Sequence, residues 1–199
     1  MVTKMGTVPF SLAAMIVGAL TPFAFAVAIF SDGNWFFDEN MLSDLGVSSD
    51  DFARNLFMAT CIIGGVCTAI FGFGKLMIKH KLDAASGFFL VIAGIFLIAV
   101  GLFDKTTTVH SISAPMYFFM MLISMCISLF ADSGNKRYLT MSVTVIALFM
   151  CFAAMPGFTI AGVEVISVCA ICLWMFVQGL SLSFSNDYNA ESDNRMVSE

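Results

Sequence analysis

Six stretches of this chain carry no charged side chain: residues 10–30, 55–74, 84–103, 112–131, 138–156 and 165–184. Each is about 20 residues long, the length a helix needs to cross a ~30 Å hydrocarbon core. A backbone in lipid must satisfy its own hydrogen bonds, so such runs fold as helices. The expected fold is all-α, a polytopic membrane bundle of six transmembrane helices. The connectors are too short for a separate soluble domain. Residues 1–184 therefore form one six-helix transmembrane domain, and residues 185–199 a polar, acidic tail expected to be disordered in the cytoplasm.

Composition agrees, with 59% hydrophobic and 12% charged residues and a mean hydropathy of +0.94, far from soluble domains. The first run follows Lys4 as a signal peptide would, but it is long for a signal core and lacks a small-x-small cleavage site, so it reads as a retained span. The basic residues set the orientation. With the N-terminus inside, Lys4, Lys75, Lys79, Lys81, Lys136, Arg137 and Arg195 face the cytoplasm, and only Arg54 and Lys105 lie outside. Both termini are expected to be cytoplasmic, in a multi-pass protein of the cell membrane.

A net charge of −5 and the lack of a basic stripe exclude nucleic acid as a partner. The acidic residues gather instead in the first outer loop, as Asp32, Asp38, Glu39, Asp44, Asp50 and Asp51, which reads as a solvated loop. Trp35, Phe36 and Phe37 in that loop read as an anchor in the outer interface. His80 with Lys75, Lys79 and Lys81 reads as a basic patch against anionic headgroups. All six cysteines lie within the runs, where they act as small apolar residues, and the Cys169-x-x-Cys172 pair is read as packing. Gly87, Gly94 and Gly101 recur every seven residues on one face of the third span and mark a close helix contact. Gly64, Gly65, Gly72 and Gly74 mark the second span in the same way.

No ionisable residue lies mid-span, which argues against a proton relay or ion pump. The polar residues instead collect near the outer boundary: Ser43, Asp44 and Gly46 in the first loop, Asn55 opening the second span, Asp104 ending the third, His110 and Ser111 opening the fourth, and Glu164 opening the sixth. Pro115 is expected in the first turn of the fourth helix, where a missing amide is tolerated.

The order Leu-Ser-Asp-Leu-Gly, then Asn-Leu-Phe, then Gly-Leu-Phe followed by His110-x-x-x-Ala114 and Phe118-Phe119 resembles the six-span prokaryotic membrane proteins called domain of unknown function nine-nine-eight. It is similar, more distantly, to the eukaryotic superfamily of FGF-receptor-activating protein, damage-regulated autophagy modulator and Sfk proteins. The resemblance carries onto Ser43, Asp44, Gly46, Asn55, Gly101, His110 and Ala114. Asp104 replaces a proline common in the family, and Val165 follows Glu164 where the family often has Arg. The resemblance implies a fold and no activity.

Three functions of different class remain open. One is a lipid-associated or scaffold protein whose outer cluster is an internal network, with Asp44 accepting from helix-start amides or from His110. Another is an intramembrane hydrolase or lipid-modifying enzyme, with His110 as base or zinc ligand, Asp44, Asp104 or Glu164 as its partner, and Ser43 or Ser111 as nucleophile. A zinc site of His110, Asp44 and Glu164 would have an uncommon, oxygen-rich ligand set. The last is a small transporter or an accessory subunit, disfavoured by the lack of an internal repeat or midplane charge. Membrane lipids are the expected partners, with another membrane subunit as the alternative, and no cofactor is called for.

Overall fold

A computed structural model describes the backbone of residues 4–134 and 137–198 and the side chains of residues 9–134 and 137–183. The tail expected to be disordered over 185–199 lies outside the residues with described side chains. Six helices make up the described chain, and no strand is present among these residues. They are α1 (Lys4–Asp32), α2 (Asp51–Leu76), α3 (Lys81–Leu102), α4 (Thr108–Gly134), α5 (Tyr138–Ala154) and α6 (Ile160–Ser198). Five contain stretches long and apolar enough to cross a membrane, and α5 is a shorter apolar helix. At 17 residues, α5 spans about 26 Å.

Each helix packs on its neighbours in sequence, and α6 returns to α1, so the bundle is a ring. Short connectors impose this order. The tightest seam is α2 against α3, and glycine makes it possible. A Cβ at Gly65 would lie 2.6 Å from the Gly94 carbonyl and one at Gly72 2.7 Å from the Gly87 carbonyl. The reverse approaches, Gly94 to Gly65 and Gly87 to Gly72, are both 2.5 Å. The register is antiparallel, and the seven-residue spacing on both helices brings the backbones together twice on one face. Gly101 meets the Met58 carbonyl one step further out, at 2.8 Å. The glycine reading therefore holds for the third span and for Gly65 and Gly72 of the second, while a Cβ at Gly74 would meet Phe10 of α1 and one at Gly64 would make only ordinary contact.

The inside of the ring is apolar at mid-depth, where Phe71, Leu90, Met121, Met125, Trp174 and Met175 are almost fully buried. A second apolar cluster, including Phe25, Leu42, Leu45, Phe57 and Val100, closes the end of the ring under the first loop, labelled the outer end from its place in the chain alone. That loop is not simply solvated, as its charge pattern implied. Asp50 caps α2 by accepting from the Ala53 amide at 2.7 Å. Asp38, at φ 68°, accepts from the Thr159 amide at 2.7 Å and so ties the loop to the start of α6. Asp32 accepts from the Ser48 hydroxyl, and Trp35 donates its indole N–H to the Met41 carbonyl at 2.9 Å. Trp35 is thus half-buried in the loop, while Phe36 and Phe37 are exposed.

Replacing Gly94 with Leu forces a side chain into the Gly65 carbonyl and is expected to cost about 1–3 kcal/mol, the usual range for overpacking. Thermal unfolding in detergent measures it; an unchanged midpoint would mean that the α2–α3 seam is looser than its glycines imply.

Candidate functional site

The outer end of the ring is where helix ends and loop converge. A short 3-10 helix, Leu42–Val47, is held against the bundle by two buried leucines, Leu42 and Leu45. Gly46 faces the Phe57 ring so closely that a Cβ would lie 3.0 Å from it. The Leu42 amide donates to Glu164 Oε2 at 3.1 Å, so a carboxylate at the start of α6 satisfies the exposed N-terminus of this small helix. Ser43, the next residue, is buried.

His110 stands in the first turn of α4. Its amide donates to Thr107 Oγ1 at 3.3 Å, an N-terminal cap for the helix. Its ring is buried, and Nδ1 lies 2.8 Å from the Phe103 carbonyl. A carbonyl only accepts, so Nδ1 carries the proton, and in the neutral ring Nε2 is left as an acceptor. No protein partner of Nε2 is present among the described residues.

Ser43, His110, Glu164, Tyr117, Thr60 and Cys61 line an inner chamber of about 50 Å³, enough for a few waters. Ser43, His110, Ala114, Phe118 and Glu164 are shared with a larger cleft of about 480 Å³ that also reaches Met155 and Ile160. The cleft is mostly apolar with its polar groups at one end, the usual make-up of a ligand site. It shares Phe118, Met155 and Ser167 with an adjoining apolar groove of about 250 Å³ between α4, α5 and α6, which reaches Met125. Along α4 this path extends from Ser111 to Met125, about 21 Å at 1.5 Å per residue.

Of the residues singled out by sequence, the structure thus gathers Ser43, His110 and Glu164. Apart from Ser111, it separates the others. Asp44 pairs with Lys105 and accepts from the Met41 amide at 2.9 Å, so it accepts from a helix-start amide and not from His110. Asp104 is exposed and accepts from the amide and hydroxyl of Thr106. The Thr106 hydroxyl, with help from its amide, holds the Asp104 carboxyl below the usual range. Asn55 is exposed and lies away from the cleft. Ser111 lines the cleft, although its hydroxyl donates to the Thr107 carbonyl at 3.2 Å. Pro115 sits two turns into α4, further in than expected, and has no N–H to return to the Ser111 carbonyl. Among the described residues no three His, Cys, Asp or Glu side chains are grouped to hold a metal ion, and His110, Asp44 and Glu164 do not form such a set.

The family described as "Protein of unknown function (DUF998)" has a model that matches residues 15–181. The chain belongs to this family. No curated protein and no solved structure matches it.

This DUF998 protein has a second polar site that span-counting misses. At the opposite end of the ring, Lys75, Asp83, Ser86, Ser124, Ser128 and Asp132 are all buried. Asp83 accepts twice from Arg137, at 2.9 and 2.7 Å. Lys75 lies 3.8 Å from Asp83 and donates to Ser128 at 2.8 Å. Ser128 bonds to Ser86 at 2.8 Å, and Ser86 to Ser124 at 2.9 Å. Asp132 pairs with Arg137 at 3.2 Å and accepts from Gln178 at 2.8 Å.

The reading of Lys75 as part of a basic surface patch is therefore wrong, since its side chain is buried in this network. Lys79, His80 and Lys81 are the residues left partly or fully exposed there. A signal was present in the sequence: Ser124, Ser128 and Asp132 recur every four residues, which puts them on one face of α4. Asp83→Leu would leave Lys75 buried without the carboxylate beside it and the half-buried Arg137 with Asp132 alone. It is expected to cost about 3–5 kcal/mol, read as a lowered unfolding midpoint in detergent; a loss below about 1 kcal/mol would reduce the network to ornament.

Proposed function

We propose that this protein is a lipid-associated integral membrane protein that seats one amphiphile in its outer cleft, headgroup against Ser43, His110 and Glu164 and tail along the α4–α5–α6 groove. The observation that carries this reading is a polar-ended cleft adjoining an apolar groove, the two together about 21 Å long. That length covers most of one leaflet and part of the next in a ~30 Å core. The groove exists because α5 is the shortest helix and turns back at Met155–Phe158, leaving the outer parts of α4 and α6 apart.

In this reading all six helices span the cell membrane, α5 included, with both termini in the cytoplasm and the site at the outer face. Seven of the nine basic residues then lie on the inner side, in keeping with the positive-inside bias. The exposed Lys79 and Lys81 meet anionic headgroups there. No nucleic acid, metal or cofactor enters this reading.

A second reading, hydrolysis of the bound lipid, draws on one observation. The Phe103 carbonyl fixes the His110 tautomer so that Nε2 is available as a base, with the Ser43 hydroxyl on the same cavity wall. In that reading Ser43 is the nucleophile and His110 takes its proton, as in other serine–histidine pairs. Release of fatty acid or headgroup from bound lipid, lost in both Ser43→Ala and His110→Ala, would favour it over simple binding.

Native mass spectrometry of protein released gently from its own membrane tests the main reading. A lipid-sized mass is expected on the native chain and is expected to fall at least tenfold, a loss of about 1.4 kcal/mol, in Ala114→Trp, which fills the shared wall of chamber and cleft. Equal retention by a folded Ala114→Trp protein would sink the cleft as the seat. Orientation is checked separately with Glu39→Cys in a chain otherwise stripped of cysteine. An impermeant maleimide is expected to label intact cells, and labelling only after lysis would invert the topology.

A further inference from the structure

We propose that the outer cleft selects amphiphiles whose headgroup carries an ammonium, a cation that donates hydrogen bonds, over headgroups that are fully methylated or anionic. This rests on the lipid reading above and adds the chemistry of the headgroup.

The polar end of the cleft is rich in acceptors and poor in free donors. Glu164 uses Oε2 for the Leu42 amide, and its second oxygen has no hydrogen-bond donor among the described residues. His110 has its proton on Nδ1, committed to Phe103, so Nε2 accepts in the neutral ring. The Ser111 carbonyl lacks its α-helical donor because residue 115 is proline. The Ser43 hydroxyl can serve either way. The cation lining the cleft is Lys105, and it pairs with Asp44.

Charge gives the same answer. With Glu164 ionised, the form that a bound ammonium favours, one ammonium, Lys105, faces two carboxylates, Asp44 and Glu164, which leaves one negative charge beside the cleft. A phosphate-terminated or other anionic headgroup placed there would meet acceptors and a carboxylate. A primary ammonium brings three N–H donors to a cleft end lined by a carboxylate and an imidazole nitrogen acceptor. A trimethylated ammonium has the charge but no N–H to give, so it leaves those acceptors unpaired in a largely apolar pocket.

The test uses the full chain in detergent, delipidated and then offered equimolar phosphatidylethanolamine, phosphatidylcholine and phosphatidylglycerol with the same acyl chains, read by native mass spectrometry. Retention of the ethanolamine lipid is expected to exceed that of either competitor by about tenfold, the effect of one charge-assisted hydrogen bond left unmade. Glu164→Gln keeps an acceptor for the Leu42 amide but removes the charge. It is expected to erase most of that preference. Lys105→Gln, which leaves both carboxylates without their cation, is expected to disfavour phosphatidylglycerol further.

Equal retention of all three lipids, or a preference for phosphatidylcholine or phosphatidylglycerol, would overturn the headgroup assignment while leaving a lipid seat in place. Failure to retain any of the three by a protein that still unfolds cooperatively would overturn the lipid reading itself, and this inference with it. A preference unchanged in Glu164→Gln would remove Glu164 as its source and refute the charge argument.

Discussion

Asp83 is the interaction on which the inner half of this ring depends. A buried carboxylate in a bundle surrounded by lipid has no water to turn to, so its partners must come from the protein. Arg137 reaches it from the start of α5, Lys75 from the last turn of α2, and Arg137 extends the link to Asp132 at the end of α4. Gln178 brings in α6 through Asp132. Five of the six helices are thereby joined at one end by groups that would each be costly alone. The apolar layer of Met121, Met125 and Trp174 then separates this end from the outer cavity.

With the inner ends held, the outer ends are free to differ. The α2–α3 seam closes along its whole length because glycine faces glycine. On the other side of the ring α5 is short, and Pro115 takes one hydrogen bond out of α4. Tight packing on one side and an open seam on the other yield a bundle with a lateral cleft at its outer rim. The first loop completes the cleft by laying its 3-10 helix across the helix ends and delivering Ser43 to the wall, with Glu164 acting as the anchor for the Leu42 amide. Glu164 therefore has two tasks, one for each oxygen, which is why its substitution by Gln separates structure from headgroup recognition.

Some of the site was legible in the residues. Ser43, His110 and Glu164 could be picked out as polar groups near one boundary, since each opens or precedes an apolar run. Asp44 and Asp104 looked equivalent to them and are not. Their carboxylates are consumed locally, one by Lys105 and the Met41 amide, the other by Thr106, and no composition or spacing distinguishes a carboxylate that faces a cavity from one that closes a turn. Lys75 was misread as part of a surface patch, and the network around it went unseen, for a related reason. Lys75, Asp83, Asp132 and Arg137 stand beside connectors, where side chains ordinarily reach water, and only the rotation of each helix turns them into the ring.

The amino-acid sequence by itself determined that this chain is a helical membrane protein, because runs of about 20 uncharged residues have no other stable form in lipid. It also marked a close-contact face on α3 and another on α2, since glycine leaves room for a backbone to approach, though that these two faces meet each other was left to the structure. The tertiary structure alone decided which polar groups share a cavity, which charges are paired out of reach of water, and that a seam stays open beside α5. Those outcomes depend on the order of helices around the ring and on how far each is rotated about its axis, and both are settled by contacts between residues distant in the chain.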